Sequence, residues 1–337
     1  MERKNLNSID MFKLLMAVAV VAIHTNPIIN WTHPAAIKAV VIIEEWAVPF
    51  FFTASGFLLF HAMKEPYVEE IKRIDRYIVK IIKMYCAWTF ISLSLTLYGY
   101  FVSGNGIISC VLSYVKYFLF VGKLYNSYHL WYLLSLIYAL AAIRIMIKKN
   151  FKPIAIASVS VVIYLLSELL SVLMDHPQMV GKIVGQFVSL YQYVFNNGGI
   201  FRGLVYVSVG MLIARYHWHI NKWVGIAAVV ALNIFKLCLG KTAVHLLMPV
   251  EAALVFMTLL DIKLPDSGIW ERCRKTSTVI YLSHLIFFSI YTFLILRNPN
   301  KLGFDSFLIT LILSLLNAVF LLTAQKRGYF RLLRHII

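Results

Sequence analysis

Residues 153–173 read PIAIASVSVVIYLLSELLSVL, 21 residues in which Glu168 is the only charged side chain. An α-helix rises about 1.5 Å per residue, so a run of this length crosses the roughly 30 Å hydrocarbon core of a bilayer. Working outward, comparable runs occupy 9–29, 36–62, 84–102 and 128–147 before it, and 200–215, 222–239, 243–260, 276–296 and 304–324 after it. The reading is an all-α integral membrane protein of about ten transmembrane helices, with both termini cytoplasmic. Segments 107–120 and 183–195 are apolar but interrupted by lysine, glycine or glutamine, which suits interfacial or re-entrant pieces.

Composition agrees. The chain has 337 residues, 61% of them hydrophobic, with a mean hydropathy of +0.78; soluble domains hold roughly 45–50% apolar residues. The apolar runs recur along the whole length, so 1–337 reads as a single polytopic domain at home in the plasma membrane. A net charge of +17 would suit nucleic acid if it were massed on one polar domain. Here the 32 Lys and Arg are scattered between apolar runs, which argues for a lipid bilayer as the partner and against nucleic acid. The four cysteines form no CxxC pair and no cluster with histidine at metal-ligand spacing, so neither a disulfide framework nor a metal site is expected. Arg3 and Lys4 precede the first apolar run, which is too long and lacks the small-residue cleavage site of a signal peptide.

Basic residues also orient the chain, because cytoplasmic loops are enriched in lysine and arginine. With the N-terminus inside, 22 of them fall on inner segments, from Arg3 and Lys4 through Lys64 and the 72–83 cluster to Arg331 and Arg334, and 8 fall outside.

Ionisable groups within a bilayer are costly and mark functional candidates. His24 lies near the outer end of the first span, and Glu44 with Glu45 lies near the outer part of the second. Their depths differ by about 5 Å, so a histidine–carboxylate contact that orients a general base is expected, with a structural hydrogen bond as the alternative. Lys13 precedes His24 by 11 residues and shares its face, as does Asp10. This stripe is either one wall of a path through the membrane or a lysine reaching the interface beside Asp10. Arg73, Arg76, Lys80 and Lys83 step by three, four and three, forming one basic stripe suited to phosphates or to anionic lipid. Arg202, Glu251, Glu168 and Lys236 map to the outer half and suggest a polar cavity there, with the broken segment Asn196-Asn197-Gly198-Gly199 beside it. A transporter vestibule has the same features.

These residues resemble a known family. Ile9-Asp10 through His24, then Val48-Pro49-Phe50-Phe51-Phe52-Thr53-Ala54-Ser55-Gly56-Phe57, Tyr128-His129-Leu130-Trp131-Tyr132 and Tyr281-Leu282-Ser283-His284 are similar to the membrane acyltransferase-3 family over essentially the full chain. The resemblance implies a ten-helix domain that takes an acyl group, often acetyl, from cytoplasmic acyl-CoA and delivers it to an envelope glycan. It implies no bound cofactor beyond this donor substrate. His24 is then the catalytic base with Glu44 or Glu45 orienting it; Lys13, Arg76, Lys80 and Lys83 bind acyl-CoA; Ser55, Arg202, Glu251 and His284 face the acceptor. The family usually carries arginine where this chain has Lys13, and Arg-x-x-Arg where it has Lys80 and Lys83. Lysine keeps the charge but not the two-pronged grip of guanidinium on phosphate.

Within that family the chain most resembles the membrane domain of VanT-type serine racemases of vancomycin resistance, in which a pyridoxal-phosphate racemase follows the membrane domain. Ile337 comes just after the tenth span, so no racemase domain is expected. The alternative function is therefore supply of L-serine to a separate cytoplasmic racemase.

Overall fold

The computed structural model describes residues 6–63, 67–176, 181–196, 199–298 and 301–327. Arg3, Lys4, Lys64, Asn197, Gly198, Arg331 and Arg334 lie outside the described residues. Every regular element among the described residues is helical: α1 (Asn7–Thr25), α2 (Pro34–His61), α3 (Tyr67–Ile91), α4 (Leu93–Val102), α5 (Ile107–Lys116), α6 (Trp131–Lys148), α7 (Pro153–Asp175), α8 (Lys182–Phe195), α9 (Gly199–Tyr216), α10 (Lys222–Lys236), α11 (Lys241–Asp261), α12 (Gly268–Ser289) and α13 (Phe304–Lys326). Short π-helical turns extend α5 over Tyr117–Val121 and α12 over Ile290–Ile295, and a 3₁₀ turn at Tyr128–Leu130 leads into α6.

Nine of the ten expected spans lie mainly on one helix each, and 84–102 divides between α3 and α4. Among the described residues seven helices are long and apolar enough to cross a membrane, or eight if the bent pair α3–α4 counts as one. Two expected spans fall short for visible reasons. Lys38, Glu44, Glu45 and His61 dilute α2, and α10 has only 15 residues. The expected span 84–102 is broken at Ser92, with a bend of 55° between Glu69–Ile91 and Leu93–Val102. Of the segments expected to be interfacial or re-entrant, α5 buries none of its residues and α8 buries only Val188.

Helix α9 packs against α2, α6 and α7 and buries most of its residues among them. Without a hydrophobic drive between helices in lipid, close backbone approach supplies the packing, and it needs small residues. A Cβ on Gly56 would sit 2.2 Å from Val207 O, and one on Gly210 would sit 2.1 Å from Thr53 O. Helices α2 and α9 therefore cross backbone to backbone at two levels. Gly56→Ala or Gly210→Ala must push them apart and is expected to destabilise the protein by about 1–3 kcal/mol, read as a lowered melting temperature in detergent.

Proline interrupts two helices, Pro49 in α2 and Pro249 in α11. A helix-interior proline frees the carbonyl four residues earlier, and in α11 that carbonyl, His245 O, accepts from Tyr164 Oη–H at 2.6 Å. At the opposite end of the bundle, Asp75 of α3 pairs with Arg144 of α6 and Glu70 of α3 pairs with Arg215 of α9. These contacts fix the helix that carries the basic stripe. Helix α12 runs alongside α1 in the same direction, so Arg274 meets Asp10 at one end and His284 meets His24 at the other.

Candidate functional site

The α1 face that carries Asp10 and His24 lies against α12. Lys13 Nζ lies 3.7 Å from Asp10, and Asp10 also accepts from Arg274 Nη1 at 3.0 Å. Lys13 and Arg274 edge a cavity of about 240 Å³. Lys13, Lys80 and Arg274 give it three cations, while Ser55, Tyr77, Tyr132 and Tyr281 line its wall. Ser55 Oγ–H donates to Phe51 O at 2.8 Å and its oxygen lies 3.0 Å from Tyr132 Oη. A hydroxyl tied to the carbonyl one turn back is fixed in place.

Tyr281 connects this cavity to the other end of α1. Its ring packs against Tyr132 at 5.4 Å and against His129 at 5.8 Å, and its hydroxyl donates to His129 O. His129 packs edge-on to His284 at 5.0 Å, and His284 stacks on His24 at 5.2 Å with the planes 16° apart. Tyr128 closes the far side of His24 at 4.9 Å. Cations, tyrosines and three imidazoles thus follow one another along α1, α6 and α12.

The basic stripe on α3 is helical as expected, but its members part company. Only Lys80 lines the cavity. Arg73 Nη1 donates to Ala62 O at 2.6 Å, Arg76 Nε reaches Lys72 O at 3.4 Å, and Arg76 and Lys83 stand exposed. Arg274 takes a place at the cavity that the sequence reading did not assign. Its signal was present: Arg274 precedes His284 by ten residues on α12, much as Lys13 precedes His24 on α1. His129 is likewise visible in the sequence only within the Tyr128–Tyr132 motif.

The expected contact between His24 and a carboxylate is not formed among the described residues. Glu45 instead lies 3.1 Å from Lys236 Nζ, and the same ammonium lies 2.7 Å from Glu251. Glu251 also accepts from Trp46 Nε1 at 2.8 Å and from Asn233 Nδ2 at 2.7 Å. A buried carboxylate needs a counter-charge, and α10 offers one that His24 cannot match. Glu44 is half-buried beside this network. Nor do Ser55, Arg202, Glu251 and His284 share one cavity. Arg202 Nε pairs with Glu168 at 2.8 Å, Glu168 also meets His245 Nδ1 at 3.2 Å, and these three line a separate polar cavity of about 260 Å³ with Asp175, Gln192 and Thr242. In the 122–127 loop, burial and the nearby charge of Arg202 hold the Lys123 ammonium below the usual lysine range. Among the described residues no group of three or more His, Cys, Asp or Glu is arranged to hold a metal ion.

The family profile described as Acyltransferase domain matches residues 6–323. The chain belongs to the acyltransferase-3 family. An acyltransferase-3 domain is an integral membrane domain, and this one carries the apolar helices of a multi-pass protein. The chain is 23% identical over 343 residues to an amino-acid racemase of Enterococcus faecalis, covering 95% of this chain and 46% of that protein. It is 34% identical over 149 residues to a serine/alanine racemase of Enterococcus gallinarum, covering 43% of this chain and 20% of that protein. The chain spans less than half the length of these relatives. No solved structure matches it. Racemase-named relatives agree with the VanT-type likeness of its motifs.

Proposed function

We propose that this domain moves an acyl group, acetyl being the simplest, from acyl-CoA to a hydroxyl of an envelope glycan on the other side of the membrane. The observation that carries the reading is the continuity of one wall: Tyr281 lines the cationic cavity and also packs on the imidazoles that lead to His24. The charge asymmetry of the loops supports a cytoplasmic Lys13 end, the side on which acyl-CoA is found. Lys13, Lys80 and Arg274 then hold donor phosphates, with Arg76 and Lys83 at the rim. His24 removes the proton of the acceptor hydroxyl, whose oxygen attacks the thioester carbonyl. The C–S bond breaks, and the leaving thiolate takes up that proton. Because Glu45 is committed to Lys236, His284 and Tyr128 orient His24 in place of the carboxylates.

Charge-assisted contacts are worth about 1.5–3 kcal/mol. Lys80→Ala and Arg274→Ala are therefore expected to raise KM for acetyl-CoA about ten- to hundredfold with little change in kcat. Lys13→Arg keeps the charge and is expected to retain most of the activity. Initial rates of acetyl-CoA consumption in membranes that hold the natural acceptor check this; an unchanged KM in both alanine variants contradicts the donor site.

A second reading has its own observation. The Glu168–Arg202–His245 cavity offers a cation and carboxylates in one space of about 260 Å³, as a zwitterion such as L-serine requires, and the relatives are racemases. On this reading the domain supplies L-serine to a cytoplasmic racemase. Counterflow of labelled L-serine in proteoliposomes, lost in Arg202→Ala, supports it; no serine-dependent signal removes it.

A further inference from the structure

The cavity between α7, α9 and α11 lies outside the acyl-transfer route, and its charges are unevenly satisfied. One carboxylate, Glu168 of α7, is shared by two partners: Oε1 lies 2.8 Å from Arg202 Nε of α9, and Oε2 lies 3.2 Å from His245 Nδ1 of α11. The contact with Arg202 brings the charges together without a hydrogen bond, since Glu168 Oε1 and Arg202 Nε are both buried and neither has a hydrogen-bond partner among the described residues. Both residues line the same cavity of about 260 Å³. A buried N–H and a buried carboxylate oxygen left without their bonds at a cavity wall point to polar groups of a ligand. Asp175 lines that cavity as well, is exposed, and joins no ion pair among the described residues.

With a neutral imidazole, Glu168 and Asp175 outweigh Arg202 by one negative charge. A ligand carboxylate that takes the Arg202 N–H must settle beside Glu168 on the same guanidinium, and two carboxylates on one cation repel. A second cation in contact with Glu168 offsets this, and His245 can become one. Its Nδ1 already faces Glu168 Oε2, its side chain is 30% exposed and so exchanges protons with solvent, and histidine is the side chain whose charge changes near neutral pH. Resting on the L-serine reading of this cavity, we propose that it binds the zwitterion together with one proton: ligand carboxylate on Arg202, ligand ammonium on Asp175, proton on His245. The cavity then passes from one net negative charge to none. Because the filled site favours the imidazolium, affinity rises as pH falls through the histidine range, and binding takes up a proton from solution. A carrier built on this site moves L-serine and a proton together.

The other ionisable groups around His245 do not supply this response. Tyr164 of α7 donates its hydroxyl to His245 O, and Tyr206 of α9 is buried behind it with the rings 6.1 Å apart. These phenols, and Tyr191 of α8, stay neutral in this range. Lys123 faces Arg202 from the 122–127 loop. Glu44 and Glu45 of α2 lie with Lys236 of α10 and Glu251, about 9 Å farther along α11. Helix α1, with Asp10 and Lys13, meets α11 through Ser8 at Leu259, about 21 Å away. His176 follows Asp175 and is exposed, and so serves as the control.

The test is binding of labelled L-serine to purified protein in nanodiscs at about pH 5.5 and about pH 7.5, which bracket the histidine range while L-serine itself stays zwitterionic. Wild type is expected to bind about tenfold tighter at the lower pH, one linked proton allowing at most about tenfold per pH unit. His245→Asn keeps an uncharged N–H near the Nδ1 position; it is expected to melt like wild type and to show the weaker, high-pH affinity at both values. Glu168→Gln removes the charge that the imidazolium answers and is expected to lose the pH response, whereas His176→Gln keeps it. Equal affinity at both pH values in wild type, or a wild-type pH response in His245→Asn, overturns the proton link and leaves the serine site standing. Loss of binding at both pH values in Glu168→Gln puts the ammonium on Glu168 and overturns the proposal. No L-serine binding by wild type at either pH removes the serine reading and the proposal with it.

Discussion

Replacing His24 with alanine is expected to lower acetyl transfer about a hundred- to ten-thousandfold, the usual contribution of a positioned general base. His24 makes ring contacts only, stacking on His284 and meeting Tyr128 edge-on. It forms no hydrogen bond or ion pair among the described residues on which folding could depend. The loss should therefore appear in kcat, with KM for acetyl-CoA and the melting temperature close to wild type. Loss of stability in step with activity would make His24 a packing residue.

The second large effect is on stability. Lys236 is the shared counter-ion of Glu45 and Glu251, and its side chain is 5% exposed against 2% for Glu251. Lys236→Met leaves two carboxylates without their cation in a low-dielectric setting, which costs about 3–5 kcal/mol for a buried pair. The expected result is a large fall in melting temperature. Adding Glu45→Gln and Glu251→Gln should restore much of it, because the uncompensated charge, and not the lost contact, dominates the cost. A Lys236→Met protein as stable as wild type would mean that this network is hydrated.

These two residues also mark what the sequence can and cannot disclose. Spans are legible because a bilayer demands runs of apolar residues of fixed length, and α7 meets that demand alone. The Lys13–His24 face is legible because helical register is a local property. The partner of Glu45 is not: it lies 191 residues away on α10, and choice among distant counter-charges depends on which helices become neighbours. The break at Ser92 is hidden for the same reason. No proline marks it; α4 is held by the 122–127 loop, where Thr96 Oγ–H donates to Tyr125 O, Asn126 Nδ2–H donates to Leu95 O and Gly99 packs under Tyr125. Arg274 and His129 fall between these cases, visible as residues but placed at the site only by the alignment of α1, α6 and α12.

The central claim is that one bundle joins a donor site at its Lys13 end to an acceptor site at its His24 end across the membrane. Inside-out vesicles from cells producing the protein expose the cytoplasmic face to added [¹⁴C-acetyl]-CoA and keep natural acceptors in the lumen. The account predicts that label accumulates on lumenal glycan with wild type and not with His24→Ala. Label confined to the outer face, or equal lumenal label with both proteins, would contradict it.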